Sequence, residues 1–301
     1  MTYSIVARDP ATGQMGMAVQ SHFFGVGRLV GWGEGGVGVV ATQSFVEPAY
    51  GPRALALMRD GAGAQDALRA LVAADDEQDR RQVGVLDATG RAAAHTGARC
   101  IAAAGHTVGD GLSAQANMMR RDTVWDAMRA ALERGRGDLA ARLLDALDAA
   151  EAEGGDIRGR QSAALLIVSG ERHGEPWRDR EFDLRIEDHP DPLAELRRVV
   201  DLHRAYGRLE RAEHAMTAGD QTEAAAGFAE AADALGSNVE GTFWAGVALA
   251  STGDIEGARS MLASALAAHD GWPELLRRLP AVDLLPDEPG LVERLLAGSE
   301  R

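Results

Sequence analysis

The chain has 301 residues, 46% of them hydrophobic, enough for a sizeable core and, at about 100–200 residues per domain, for two domains. Its 46 acidic residues outnumber 31 basic ones, and the net charge of -15 repels nucleic-acid phosphates and anionic lipid, setting both aside as partners. Every fixed cation is an arginine; with no lysine in the chain, a Schiff base, a phosphate-loop lysine and a lysine general base are all excluded.

Taken in order, Tyr3, Ile5 and Ala7 alternate with Ser4, Val6 and Arg8, which predicts a strand. Asp9-Pro10-Ala11-Thr12-Gly13 is a turn, and Met15 to Gln20 returns as a second strand, giving a hairpin. A glycine-rich connection from Gly25 to Gly36 leads to a third strand over Val37–Gln43. Helical spacing follows over Pro52–Arg59 and Ala64–Ala74, then short strands over Gln82–Leu86, Ala92–Thr96 and Ile101–Ala104. Gly105–Gly111 reads as a turn into a helix that carries Gln115 and Asn117, the first of three helical stretches between about Ser113 and Glu153. Ser162–Val168 is a nearly unbroken apolar run, as a strand covered on both faces should be, and Phe182–Ile186 is one more strand. Clusters of strands and helices in this order predict a layered α+β fold rather than a βαβ wind.

Beyond Asp188-His189-Pro190-Asp191-Pro192 the periodicity is only helical, and it repeats. Gly219-Asp220 and Gly253-Asp254 are 34 residues apart, as are Ala224 and Ala258, Phe228 and Leu262, and Ala231 and Ala265. Thirty-four residues is the tetratricopeptide period, with small residues where paired helices touch; Gly246 fills the small position of a first helix. Two repeats fall short of the roughly three needed for independent stability, so this region is expected to dock on a neighbour, and a homodimer is the expected assembly. Phe243, Trp244 and Trp272 either fill the inter-helix core or stay exposed as an interface anchor.

The chemistry starts at residue two. A small second residue lets methionine aminopeptidase remove Met1, leaving Thr2 at the head of a strand with a free α-amine. A hydroxyl nucleophile and a base of unperturbed pKa about 7.7–8.0 then sit in one residue, with no lysine, histidine or metal required. Cys100, the single cysteine, excludes an internal disulfide and thiol-rich metal sites, and its apolar surroundings predict a buried core thiol. Eight histidines are scattered without metal-ligand spacing, so no metal and no cofactor is expected. The opening lacks a basic segment followed by an apolar stretch, and no apolar run approaches the ~18 residues of a membrane span, so a cytoplasmic protein is expected.

Five segments carry a family likeness: Thr2 to Pro10, Gly35 to Gln43, Gln115-Ala116-Asn117, Gly154 to Ala163, and Asp183 to Pro192. Falling in this order, they make the chain resemble, over roughly residues 2–205, the bacterial and archaeal family called domain of unknown function 1028. The resemblance implies the fold of the N-terminal nucleophile hydrolases, a four-layer αββα sandwich. It implies the boundaries 1–205 for that domain and 206–301 for an all-α helical-repeat domain, which lies where some members carry an extension labelled peptidoglycan-binding. The label fits poorly with the absence of an export signal, so protein contact is expected over a peptidoglycan fragment. Proteasome-type relatives by fold use a lysine beside the nucleophile, and this chain has none.

The expected activity is amide hydrolysis of a small-molecule amide or peptide-like substrate by Thr2, with Gln43 or Asn117 stabilising the oxyanion. The alternative is a non-catalytic binding module on an inherited hydrolase fold. Ser21, His22 and Gln115 are the expected substrate-binding residues around Thr2. Asp156 and Arg158 either clamp a substrate carboxylate or form an ion pair closing a turn, and Gln161 and Ser162, also expected to bind substrate, are candidate donors to an oxyanion. Asp183 and Arg185 share one face of a strand and read as a structural pair, and His189 as a turn histidine.

Overall fold

Strands Thr2–Arg8 (β1) and Met15–Ser21 (β2) pair antiparallel around a turn in which Gly13 adopts φ 78° and Ala11 N–H donates to the Asp9 carboxylate at 3.0 Å. A short helix, Gly27–Val30 (α1), and an edge strand, Gly31–Glu34 (β3), occupy the glycine-rich connection before Gly38–Ser44 (β4). Helices Tyr50–Arg59 (α2) and Ala64–Ala73 (α3) lead to strands Arg81–Asp87 (β5), Ala92–Thr96 (β6), Gly105–Gly109 (β7) and Leu112–Asn117 (β8). Helices Val124–Arg134 (α4) and Leu139–Ala152 (α5), then strands Ser162–Val168 (β9) and Arg180–Ile186 (β10), complete the set before the long helix Pro192–Thr217 (α6).

All pairings are antiparallel and form two sheets. One has six strands in the order β10-β9-β2-β1-β8-β7, the other four in the order β3-β4-β5-β6. Helices α4 and α5 cover one face of the six-stranded sheet, whose other face packs on the four-stranded sheet, and α2 and α3 cover the far side of that. The alternation along β1 shows the layering residue by residue: Tyr3 reaches Glu151 of α5, whereas Ser4, one position on, donates to Gln43 of the facing sheet. Between the sheets the core is aliphatic, with Val6, Met17, Val19, Val39, Ala41 and Leu166 all buried. Beneath α2 and α3 it is built around Val40, Tyr50, Val83 and Val85.

The structure, a computed structural model, describes residues 2–236 and 238–297. By its internal contacts the chain divides into two units, Met1–Arg198 and Val199–Arg301. The second unit continues α6 and adds Gln221–Leu235 (α7), Glu240–Ser251 (α8), Ile255–Ala268 (α9), Gly271–Arg278 (α10) and Leu291–Leu296 (α11). Positions 34 residues apart behave alike: Gly219 and Gly253 take φ 83° and 88°, and the Asp220 and Asp254 carboxylates cap the following helices through Glu223 and Gly257 N–H at 3.0 and 2.9 Å. Phe243 is fully buried and meets Trp244 and Trp272 at ring-centroid distances of 5.2 and 4.8 Å, so these aromatics fill the space between helices.

Five local expectations are corrected. Ile101–Ala104 is not a strand, and Gly105–Gly109, expected as a turn, is β7. Gln115 and Asn117 lie on a strand, because Leu112, Ala114 and Ala116 alternate strictly with Ser113, Gln115 and Asn117; both sets are buried, so the polar members do not mark a solvent face. Two helices rather than three run between residues 113 and 153. Cys100 is only half-buried, its thiol donating to the Arg81 carbonyl at 3.3 Å.

Candidate active site

Residue Thr2 begins β1 in the middle of the six-stranded sheet, and register places Asn117, Ser21 and Ser162 in the same row: Asn117 opposite Thr2 on β8, Ser21 opposite on β2, and Ser162 beyond it on β9. Thr2, Ser21, Asn117 and Ser162 point to the facing sheet, where Gln43, Gln82 and Thr96 form a second row across β4, β5 and β6. Ser4 and Gln115 add a pair one step inward. All of these except Thr96 are buried, with Thr2 only 3% exposed, and none carries an ionisable side chain.

The amides are tied into one network. Thr2 Oγ1 donates to Ser21 Oγ at 3.1 Å. Gln43 Nε2 lies within bonding distance of the Thr2 carbonyl (3.1 Å), Gln82 Oε1 (2.8 Å) and the Gln115 carbonyl (3.2 Å), while its Oε1 accepts from Ser4 Oγ at 2.6 Å. Asn117 Nδ2 donates to Gln82 Oε1 at 2.8 Å and more weakly to the Thr2 carbonyl at 3.4 Å. Gln115 donates to Ser4 Oγ at 2.6 Å and accepts from Ser113 Oγ at 2.9 Å. A side chain at residue 84 is excluded here: a Cβ on Gly84 would stand 2.3 Å from the Gln115 amide oxygen. Behind Thr2, burial and then the neighbouring Glu151 carboxylate push the Tyr3 phenol well above its ordinary value, so it remains a donor to Glu151 at 2.6 Å.

Backbone strain marks the same place. Among the described residues of the first unit, Ser44 and Met118 are the non-glycine residues with positive φ, at 70° and 57°, and each directly follows a site amide, Gln43 and Asn117. Such conformations cost of order 1–3 kcal/mol and concentrate where geometry serves function.

Thr2, Ser21, Gln43, Gln115 and Asn117 therefore come together, and Ser162 shares their row, although its hydroxyl donates to the Phe23 carbonyl and accepts from Val26 N–H. His22, Asp156 and Arg158 form a separate cluster that fixes turns, and Gln161 bonds elsewhere. The Asp156 carboxylate accepts from Arg158 Nη2 at 2.7 Å, from Arg158 N–H at 2.9 Å and from His22 N–H at 3.2 Å. His22 Nδ1 lies 3.2 Å from the Arg160 carbonyl, and Gln161 Nε2 donates to Asp188 at 3.1 Å. Asp183 and Arg185 pair with each other at 3.0 Å, and His189 Nδ1 accepts the Asp191 N–H at 3.0 Å.

Sequence reasoning missed Gln82 and Ser4. The available signal was a fully polar side chain at the start of an otherwise apolar strand: Gln82 opens Gln82–Leu86, and Gln43 closes Val37–Gln43. Two glutamines at the ends of antiparallel neighbours meet in register.

The frame and the site define an α+β protein with a buried, uncharged hydroxyl–amide cluster at the head of its central strand. Residues 2–196 match the family described as "Family of unknown function (DUF1028)", and the chain belongs to that family. It is similar, at 31% identity and a TM-score of 0.60, to the crystal structure of protein SPO2555 from Silicibacter pomeroyi, which bears the same family label; the likeness covers 66% of this chain and 87% of that one. No match is found among the curated proteins. Among the described residues no helix is long and apolar enough to cross a membrane, and no group of three or more His, Cys, Asp or Glu is disposed to hold a metal ion.

Proposed function

We propose that this protein is an N-terminal-threonine amidohydrolase built on an N-terminal-nucleophile-hydrolase sandwich. The observation that carries the reading is the placement of Thr2: it heads the central strand and joins a buried polar row on four adjacent strands, where an ordinary sandwich core would be aliphatic. A buried polar network of this size costs stability unless it is fully bonded, and it invites a functional explanation.

Once Met1 is removed, the Thr2 hydroxyl attacks an amide carbonyl and its proton passes to the α-amine. The amine returns that proton to the leaving nitrogen as the C–N bond breaks, leaving an acyl ester on Thr2. Water, deprotonated by the same amine, attacks the ester; the C–O bond breaks, the amine returns the proton to Thr2 Oγ, and the acid is released. Gln43 and Asn117 hold the Thr2 carbonyl, and Ser21 holds its hydroxyl; for either amide to serve the oxyanion, a bond to that carbonyl must be exchanged. Met1 lies outside the described residues, so intact mass of the native protein is the first test: retained Met1 removes the mechanism. The second is an amide-substrate screen on the Met-free protein. Turnover must fall to background in Thr2→Ala, since the nucleophile is lost outright.

The engaged amide donors favour a second reading, a non-catalytic binding module. Saturable ligand binding that survives Thr2→Ala, with no turnover in the same screen, selects it. For the second unit the proposal is a tetratricopeptide-like helix pair that makes protein contacts in a cytoplasmic homodimer, supported by the matched caps at Asp220 and Asp254. A monomer in sedimentation velocity removes the dimer, and retention of the full chain on peptidoglycan fragments overturns the choice of partner.

A further inference from the structure

Resting on the Thr2 reading above, the site poses a question of hydrogen-bond supply. Cleaving the bond before Thr2 replaces one backbone N–H with an amine bearing two or three, inside a region where Thr2 is 3% exposed. Buried N–H groups need acceptors. Nearly every side-chain acceptor around Thr2 is engaged. Gln43 Oε1 accepts from Ser4, Gln115 Oε1 from Ser113, Ser4 Oγ from Gln115, and Gln82 Oε1 from both Gln43 and Asn117. Asn117 Oδ1, fully buried on the residue directly opposite Thr2, has no partner; Gln20 Oε1, likewise unpartnered, belongs to the residue opposite Tyr3, on the helix-covered face of the sheet.

Its orientation follows from the backbone rather than from an arbitrary choice of amide rotamer. Gln82 Nε2 faces the carbonyls of Gly105 and Ala116 at 3.2 and 2.9 Å, and carbonyls only accept. That turns Gln82 Oε1 toward Gln43 and Asn117, so Asn117 must present Nδ2 to it and leave Oδ1 over. We infer that Asn117 is a positioning residue whose Oδ1 accepts a hydrogen bond from the freed Thr2 α-amine, leaving the nitrogen lone pair for the Thr2 hydroxyl proton. This assigns Asn117 to the base rather than to the oxyanion.

The absence of lysine makes the test direct, because in a chain released at Thr2 from an N-terminal fusion the α-amine is the only primary amine. Acylation by acetic anhydride, followed by intact mass across a pH series, therefore titrates that one group. Asn117→Asp keeps the shape and puts a carboxylate beside the amine; it is expected to raise the midpoint by about one pH unit or more, as an opposite charge within about 4–6 Å does. Asn117→Leu is expected to lower it. Midpoints for the unsubstituted chain and Asn117→Asp that agree within about 0.2 unit overturn the contact. If either variant fails to fold, the crystal structure of the unsubstituted Thr2-initiated chain decides: Oδ1 within about 3.2 Å of the amine supports the inference, and a gap beyond about 4 Å overturns it. Turnover is not needed for either readout. A titration blind to residue 117 alongside Thr2-dependent hydrolysis sinks this inference alone. Coupling without hydrolysis sinks the hydrolase reading and leaves the contact.

Discussion

Gln82 is the residue on which the site's order depends. Its oxygen receives Gln43 and Asn117, and its nitrogen serves Thr96 Oγ1 and two backbone carbonyls. Replacing it with leucine keeps the volume but takes from Gln43 and Asn117 their shortest acceptor, leaving them only backbone carbonyls, and takes a side-chain donor from the Gly105 and Ala116 carbonyls. Each buried group that loses its partner costs about 1–3 kcal/mol, so Gln82→Leu is expected to destabilise the first unit by several kcal/mol in urea titration. It should also abolish any Thr2-dependent turnover. Ser113→Ala, which removes a single bond to Gln115, is the contrasting case and should cost about 1 kcal/mol. Equal effects from the two would show that Gln82 is an ordinary buried amide and not the centre of the network.

At the scale of elements, legibility followed apolar contrast. Ser162–Val168 was readable because seven apolar or small residues in a row have no other use, and it is β9 with those limits. The β1–β2 hairpin was readable from alternation and turn chemistry together. Leu112–Asn117 was not, since a strand buried on both faces with Ser, Gln and Asn on one of them shows alternation yet carries the polar composition of a helix surface. Glycines at both ends of Gly105–Gly109 hid β7 in the same way. Thr2, Gln43 and Asn117 were named together as candidates, but periodicity alone did not fix their placement, because the sheet-to-sheet contact of Gln43 with Thr2 is set by registers that span 41 residues of sequence. In the second unit the two caps 34 residues apart were readable because each is short-range. Asp220 and Asp254 each accept from the N–H three residues on, so Asp220→Ala and Asp254→Ala should each cost about 0.5–2 kcal/mol. Circular dichroism melts of the two variants should shift downward together; a shift in only one would break the equivalence of the two positions.

For the whole molecule, charge sets the response to acid. The net charge of -15 at pH 7 falls to zero at a pI near 5.0, where repulsion between copies vanishes and solubility is lowest. Folding has a different threshold. The Asp75 carboxylate, bonded to Arg81 at 2.8 Å and also accepting from Tyr50, is held below the usual aspartate range, chiefly by the Arg81 hydrogen bond. Burial acts to raise Asp87, but donors from the Thr89 side chain and the Ala64, Arg91 and Thr89 N–H groups outweigh it and hold it low as well. A carboxylate whose folded pKa lies below its unfolded value, about 3.9 for aspartate, stabilises the fold above that value, and its contribution is lost as pH falls through the folded pKa. The two effects therefore separate along the pH axis. Turbidity should peak near pH 5 while near-ultraviolet circular dichroism of the redissolved protein stays native, and unfolding should begin only below about pH 4. Loss of the near-ultraviolet signal already above pH 5 would show that these aspartates do not carry the acid stability assigned to them.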